Sequence, residues 1–263
     1  MPELPDVETF KRYLDATALH QSIAETEVFN ERVLEGVRPA DMKKALSSRQ
    51  FNATHRHGKY LFAHLDDAQW LVLHFGMTGR LKYYKVEDSR PQHIRLQVRF
   101  TNGYHLAYDC QRMFGSVTLA ADTEQFIQRK KLGPDALRLS WSEFRQAFQG
   151  RRGRLKPALM NQHILAGIGN VYSDEILFQM ELHPELSVAR LSKEQMHRLY
   201  TTTQDVLQTA VDARADPERF PNHFITPHRH DEGTCPRDGQ PLQRITVSGR
   251  SAYICPRHQP APD

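Results

Sequence analysis

Alternation of apolar and polar positions dominates the chain up to about residue 120. In HIRLQVRFTNGYHLAYD, the apolar residues Ile94, Leu96, Val98 and Phe100 recur at every second position up to Asn102-Gly103, and Leu106 and Tyr108 continue beyond it. Strand side chains point alternately to the two faces, and Asn-Gly fits a tight reversal, so this stretch predicts a β-hairpin. YLFAHLDDAQWLVLHF reads the same way, with a turn around Asp66 and Asp67. Ahead of the strands, Val7, Phe10 and Leu14 stand at helical spacing behind Pro5 and predict a helix starting there. From Trp141 onward helical spacing takes over. Ser192 and Gln195 form a capping-box pair, and Met196, Leu199, Val206, Leu207 and Ala210 follow on one helical face. Past Asp216 an irregular segment rich in Pro and His leads to a short hairpin, with Ile245 and Val247, a turn at Ser248-Gly249 and a return strand through Tyr253. The predicted fold class is α+β multidomain: an N-terminal β-sandwich with a flanking helix over 1–120, a linker over 121–140, a helical domain over 141–228 and a terminal hairpin over 229–263.

Composition narrows the partners. A chain of 263 residues, 39% hydrophobic, suits two domains or one large one. No run of eighteen apolar residues and no signal-peptide pattern is visible, so a cytoplasmic protein is expected, neither membrane-bound nor secreted. Three cysteines, Cys110, Cys235 and Cys255, are too few and too odd in number for a disulfide framework. The formal charge of +4 is mild, but Arg145, Arg151, Arg152, Arg154 and Lys156 follow one another with no acid between them. Such a run is either a solvated surface or a patch that tracks phosphates.

Two stretches carry candidate chemistry. The first is the N-terminal MPELPDVETF. Removal of Met1 leaves Pro2 as a free secondary amine; an α-amino group titrates near ~8, against ~10.4 for lysine, so part of it is neutral and nucleophilic at neutral pH. Such amines form Schiff bases with aldehydes. On these ten residues alone, the favoured reading of Pro2 and Pro5 is as ordinary helix-entry prolines. The second stretch is ALMNQHILAGIGNVYSDEILFQMELHP, read as an apolar helix to Ala166, an interruption at Gly167 to Asn170 and a second helix. Glycines at the joint admit close backbone approach, and N–H groups at the second helix start form an anion site suited to a DNA phosphate. The alternative is a plain helical connection.

Five segments in order, PELPDVE at the amine terminus, HGKYL at 57–61, HFGMTGRL at 74–81, LMNQHILAGIGNVYSDEILF at 159–178 and a terminal cysteine hairpin, give the whole chain a resemblance to the formamidopyrimidine-DNA glycosylase and endonuclease VIII family. The resemblance implies a β-sandwich joined to a helix-two-turns-helix DNA-binding domain with a zinc-finger-type hairpin. It implies a bifunctional DNA glycosylase and AP lyase of base excision repair: a bacterial-type, nucleoid-associated, cytoplasmic monomer acting on damaged double-stranded DNA. Pro2 matches the nucleophile that attacks C1′, Glu3 the general acid and proton shuttle, and Lys59 the lysine beside the lesion phosphate. Met77, Arg112 and Phe114 match the side chains that fill the gap left by a flipped base. Lys156, Asn170 and Arg250 match phosphate contacts. The family's acid-x-arginine pattern is displaced here, since Asp109 stands three positions before Arg112. A non-catalytic damaged-DNA-binding protein on the same scaffold is the alternative; it has no need of the Pro2, Glu3 and Lys59 set. A metal-dependent nuclease needs convergent carboxylates and histidines, and no such motif is seen outside the hairpin.

The family's finger spacing, C-x2-C-x16-C-x2-C, falls here on Cys235, Asp238, Cys255 and His258. Two cysteines are replaced, both by residue types that bind zinc. One structural zinc ion is therefore expected, with His228 or His230 as alternative fourth ligands. Relatives specialised for 8-oxoguanine carry a Gly/Thr-rich loop before the finger, whereas DARADPERFPNHFITPHRHDEGTC holds none. Formamidopyrimidines, hydantoins or oxidised pyrimidines are the expected substrates.

Overall fold

The structure is a computed structural model and describes residues 1–85 and 90–262. It divides into two compact units, Met1–Pro2 with Asp6–Lys130, and Glu3–Pro5 with Lys131–Asp263.

The first unit holds helix α1 (Leu4–Thr17) from Asp6 onward, strand β1 (Ile23–Val28), helix α2 (Pro39–Leu46), strands β2 (Phe51–His57), β3 (Tyr60–Leu65), β4 (Trp70–His74), β5 (Gly79–Tyr84), β6 (Ile94–Phe100), β7 (His105–Cys110) and β8 (Ser116–Ala120), and helix α3 (Thr123–Arg129). The strands form two four-stranded antiparallel sheets, in the orders β1-β6-β7-β5 and β2-β3-β4-β8. Both hairpins read from the alternation are present. Val98 pairs with Leu106 across β6 and β7, and Leu61 with Leu73 across β3 and β4. Leu61, Leu71 and Leu73 of one sheet share a core with Leu96, Val98 and Phe100 of the other, and Val7 and Leu14 of α1 join it. This is the expected sandwich with its flanking helix.

The segment 121–140 is not a linker throughout. The Asp122 side chain accepts from the Gln125 amide and caps α3, and Phe126 is buried against Phe62 and Val72. Burying a phenylalanine stabilises by roughly 1.5–3 kcal/mol, enough to dock a two-turn helix that has little stability alone.

The second unit holds α4 (Trp141–Phe148), α5 (Leu155–Met160), α6 (Asn170–Met180), α7 (Lys193–Asp212) and the hairpin β9 (Gln243–Val247) and β10 (Arg250–Ile254). Capping boxes start α4 (Ser140 with Glu143) and α7 (Ser192 with Gln195). Leu199, Val206, Leu207 and Ala210 line the buried face of α7. The apolar run predicted as helix to Ala166 stops being helical at Met160. There Gln162 breaks the ladder: its side chain donates to the carbonyls of Met160 and Ile168 and accepts from the Gly167 amide. Ile164, Leu165 and Ala166 are buried all the same, so the run marks burial rather than helix. The Pro- and His-rich segment is anchored by buried Phe220, Phe224 and Ile225. Its hairpin turns at Ser248 (φ 49°) and Gly249 (φ 78°), two positive φ values in succession, as a two-residue turn matching strand twist requires.

Candidate active site and nucleic-acid interface

The joint before α6 is an anion site, and its anion is Glu3. The carboxylate accepts from the amides of Gly169 (2.6 Å), Val171 (2.8 Å) and Tyr172 (3.3 Å), and Glu3 is 1% exposed. The free N–H groups expected to face a DNA phosphate are thus occupied from within the chain. The reason is local. Gly169 has no side chain to cap the helix, and the first-turn amides of α6 carry its positive dipole end, so an acid from elsewhere completes it. One residue on, the Leu4 amide donates to the Gly167 carbonyl (3.0 Å), and a Cβ on Gly167 (φ +122°) would lie 2.6 Å from the Leu4 side chain. Glycine at 167 therefore lets the N-terminal segment lie against the joint. Pro2 is half-buried and Met1 is exposed.

Lys59 sits in the two-residue loop between β2 and β3, where His57 pairs with Tyr60. Gly58 supplies the positive φ (55°) that the loop needs. Beneath it, buried Arg56 donates to the Gly58 carbonyl and to Glu8 (2.8 Å), so the loop rests on a fixed support. Lys59 is itself 8% exposed. Burial, with the ammonium groups of Lys59 and Lys130, pulls neighbouring His74 down to about 4, which leaves it neutral at pH 7.

Met77, Arg112 and Phe114 come together on two adjoining loops of the sandwich. Gly79 pairs with Cys110, the Arg112 amide donates to Thr78 Oγ1 (3.1 Å), and a Cβ on Gly76 would strike the Phe114 backbone at 2.3 Å. Among the described residues, the exposed large hydrophobic side chains are Met1, Phe29, Met77 (39%) and Phe114 (61%). The Arg112 guanidinium lies over the Phe114 ring, 5.2 Å from its centre. Asp109, displaced from the family's acid-x-arginine position, is buried and serves the fold, accepting from Arg80 and from the His93 amide.

The remaining expected phosphate contacts divide. Arg250 is exposed at the start of β10, and Asn170 opens α6 with its Oδ1 buried and without a hydrogen-bond partner. Lys156 is wholly buried instead: its ammonium donates to Asp174, to Ser173 Oγ (3.1 Å) and to the Asn170 carbonyl (3.2 Å). Burial holds its ammonium below the usual lysine range despite the Asp174 carboxylate. The basic run is likewise not one patch, since Arg154 pairs with Glu185 (2.9 Å) while Arg145, Arg151 and Arg152 are exposed.

Asp174, Glu175 and Arg229 were not read as site residues from the sequence. Asp174 accepts from Lys156, twice from Arg229 (3.0 and 2.7 Å) and from the Tyr253 amide (3.2 Å). Glu175 accepts from the Thr226 amide (2.8 Å) and hydroxyl (2.6 Å), and burial raises its pKa. The available signal was two adjacent acids inside NVYSDEILFQM, a helix with almost no solvated face.

Cys235, Asp238, Cys255 and His258 converge so that one ligand atom from each lies within 4.8 Å of all the others. His258 Nε2 is 3.2 Å from Asp238 Oδ2, and Cys255 Sγ is 4.0 Å from the same oxygen. With metal–ligand bonds of about 2.0–2.3 Å, the edges of a tetrahedral zinc site are about 3.3–3.8 Å, so the cluster fits with small movements. His258 Nε2 is also buried and makes no well-aligned hydrogen bond, so its lone pair is available to a metal ion. Burial pushes the Cys235 thiol up to about 11. His228 and His230, the alternative ligands, are not in this group.

Residues 1–117 match the formamidopyrimidine-DNA glycosylase N-terminal domain, and residues 132–221 match the H2TH domain of the same enzymes. The chain belongs to the formamidopyrimidine-DNA glycosylase family. Within that family it is 32% identical to the enzyme of Pelotomaculum thermopropionicum and 34% identical to that of Heliobacterium modesticaldum, in each case over 98% of this chain and at least 99% of the relative. The fold is similar to a mutant of Lactococcus lactis formamidopyrimidine-DNA glycosylase solved with Fapy-dG-containing DNA (TM-score 0.89, 29% identity, 99% of this chain and 100% of that one). It is equally similar to that enzyme bound non-covalently to DNA containing an AP site (TM-score 0.89, 28% identity, 98% and 100%). Among the described residues no helix is long and apolar enough to cross a membrane.

Proposed function

We propose that the protein is a bifunctional glycosylase and AP lyase that excises oxidised bases from double-stranded DNA through its N-terminal proline. In this reading the neutral Pro2 nitrogen bonds to C1′ as the bond from C1′ to the damaged base breaks and the base leaves with the electron pair. The nitrogen gives up its proton to the Glu3 carboxylate, Glu3 passes it to O4′ as the sugar ring opens, and an iminium remains. Loss of a C2′ proton then expels the 3′ phosphate and cuts the strand. The single observation that carries the proposal is the fixed position of Glu3, pinned by the Gly169, Val171 and Tyr172 amides immediately after the half-buried Pro2. A proton donor that must act beside one reacting sugar benefits from such fixation.

Lys59, on its braced loop, contacts the phosphate next to the lesion, and Asn170 and Arg250 contact further phosphates. Met77, Arg112 and Phe114 fill the space of the extruded base; exposed apolar side chains held on tight loops suit that task. Lys156 supports the Asn170 backbone rather than meeting DNA itself. One structural zinc bound by Cys235, Asp238, Cys255 and His258 fixes the terminal hairpin. Zinc supplies cross-linking of the hairpin base and no step of the reaction.

The 213–230 segment is short and packed through Phe220, Phe224 and Ile225, which supports formamidopyrimidines, hydantoins or oxidised pyrimidines as substrates ahead of 8-oxoguanine opposite cytosine. Base release and strand cleavage measured on a panel of duplexes test the function. Excision with 8-oxoguanine ranking first refutes the lesion preference. Tight binding without base release on any duplex assigns the chain to the non-catalytic alternative.

A further inference from the structure

Asn170 and Arg250 lie on different elements, and one buried carboxylate is tied to both. Asp174 stands one helical turn after Asn170 on α6. Its Oδ2 accepts from the Tyr253 amide (3.2 Å), which belongs to β10 three residues beyond Arg250. The same oxygen accepts Arg229 Nε (3.0 Å) and Nη2 (2.7 Å), and its other oxygen accepts the Lys156 ammonium. Both cations then reach the Asn170 carbonyl, Lys156 at 3.2 Å and Arg229 at 3.4 Å. The Arg229 guanidinium also lies 5.3 Å from the Tyr253 ring centre, on the same strand. Helix start and hairpin are therefore joined through a single side chain that is 1% exposed.

We infer that Asp174 is a positioning residue for DNA binding: it fixes the spacing between Asn170 at the start of α6 and Arg250 on the hairpin, so that both meet the DNA backbone at once. The inference rests on the proposed phosphate contacts of Asn170 and Arg250. Stability alone is a poor reason for the arrangement, because a buried triad of two cations and one acid is often matched or exceeded by apolar residues of similar volume. A backbone amide of β10 held by the same carboxylate adds a geometric constraint that apolar packing lacks.

The test is the dissociation constant for duplex DNA carrying a stable abasic-site analogue, measured against salt concentration. Wild type, Asp174→Asn, Arg250→Ala and the double variant are compared, with thermal melts of each. Log affinity falls with log salt in proportion to the phosphates neutralised, with a slope of about −0.9 per contact. Arg250→Ala is expected to weaken binding about tenfold and flatten the slope by about one contact. Asp174→Asn is expected to do the same while single-turnover excision at saturating DNA stays within about threefold of wild type, and the double variant is expected to match Arg250→Ala. Additive losses in the double variant, or unchanged affinity and slope in a folded Asp174→Asn protein, overturn the inference. An unchanged slope in Arg250→Ala instead overturns the phosphate contact on which it rests. Should Asp174→Asn fail to fold, the apolar triple variant Lys156→Met, Asp174→Leu, Arg229→Leu takes its place. With the fold retained, weakened binding supports a positioning role, and wild-type binding shows that the triad is structural only.

Discussion

Glu3 Oε2 lies 2.6 Å from the amide nitrogen of Gly169, a residue 166 positions later in the chain. The contact joins the residue behind the N-terminal amine to the start of α6, the helix that Asn170 opens. An acid that caps a helix start from a distance is held in place by hydrogen bonds strengthened by its charge, and these are about twice as strong as neutral ones.

Glu3→Gln tests both sides of that contact. An amide in place of the carboxylate sets NH2 against at least one of three N–H donors, so the melting temperature is expected to fall by several degrees. Base excision is expected to drop by at least a hundredfold, and cleavage at a preformed abasic site much less, because an abasic sugar already equilibrates with its ring-opened aldehyde and does not depend on Glu3 to open it. Equal loss on both substrates contradicts the role given to Glu3.

Met77→Ala and Phe114→Ala separate tool from core. Both side chains are exposed, so each change is expected to alter unfolding free energy by no more than ~0.5 kcal/mol in denaturant titrations. Excision from duplex DNA is expected to fall at least tenfold, with cleavage of an abasic site in single-stranded DNA nearly unchanged. A large loss of stability with normal duplex excision reverses the assignment.

His74 gives the sandwich a pH dependence. Its folded pKa is about 4, and its unfolded value is about 6.5. Above pH 6.5 the ring is neutral in both states and contributes nothing. As pH falls from 6.5 toward 4 the unfolded state takes up the proton first, and stability is lost, by about 2 kcal/mol between pH 7 and 5. Denaturant titrations at both pH values check this, and His74→Gln is expected to remove about that much of the difference.

Elemental analysis of protein purified without added metal is expected to find about one zinc per chain, and Asp238→Ala or His258→Ala to lower it. Strong chelators are expected to reduce the melting temperature and DNA affinity together. A metal-free protein that is fully active and indifferent to chelators shows that Val247, Ile254 and their neighbours hold the hairpin unaided.

The strands were legible because the residues that fill the core between the sheets, such as Leu96, Val98 and Phe100, stand at every second position, as one face of a strand requires. Ser192 and Gln195 marked α7 because capping residues act within a few positions. Gln162 ending α5 was not legible because a polar side chain folded back on its own loop leaves no periodic signal, and α3 inside 121–140 was not legible because Phe126 docks on strands far earlier in the chain. The same holds at the site. Pro2, Glu3, Lys59 and the wedge residues stood out by motif, whereas Lys156 kept its motif position but is turned inward by Asp174, whose role depends on Arg229 and Tyr253 arriving from the hairpin region.

The central claim is that the amine of Pro2 is the nucleophile, and borohydride trapping tests it most directly. Protein freed of Met1, incubated with duplex DNA carrying an abasic site and reduced, is expected to yield one covalent protein–DNA adduct. Pro2→Gly, or an uncleaved N-terminal extension, is expected to abolish the adduct while DNA binding persists. An adduct formed equally well by the extended protein contradicts the account, because the terminal amine is then not the attacking group.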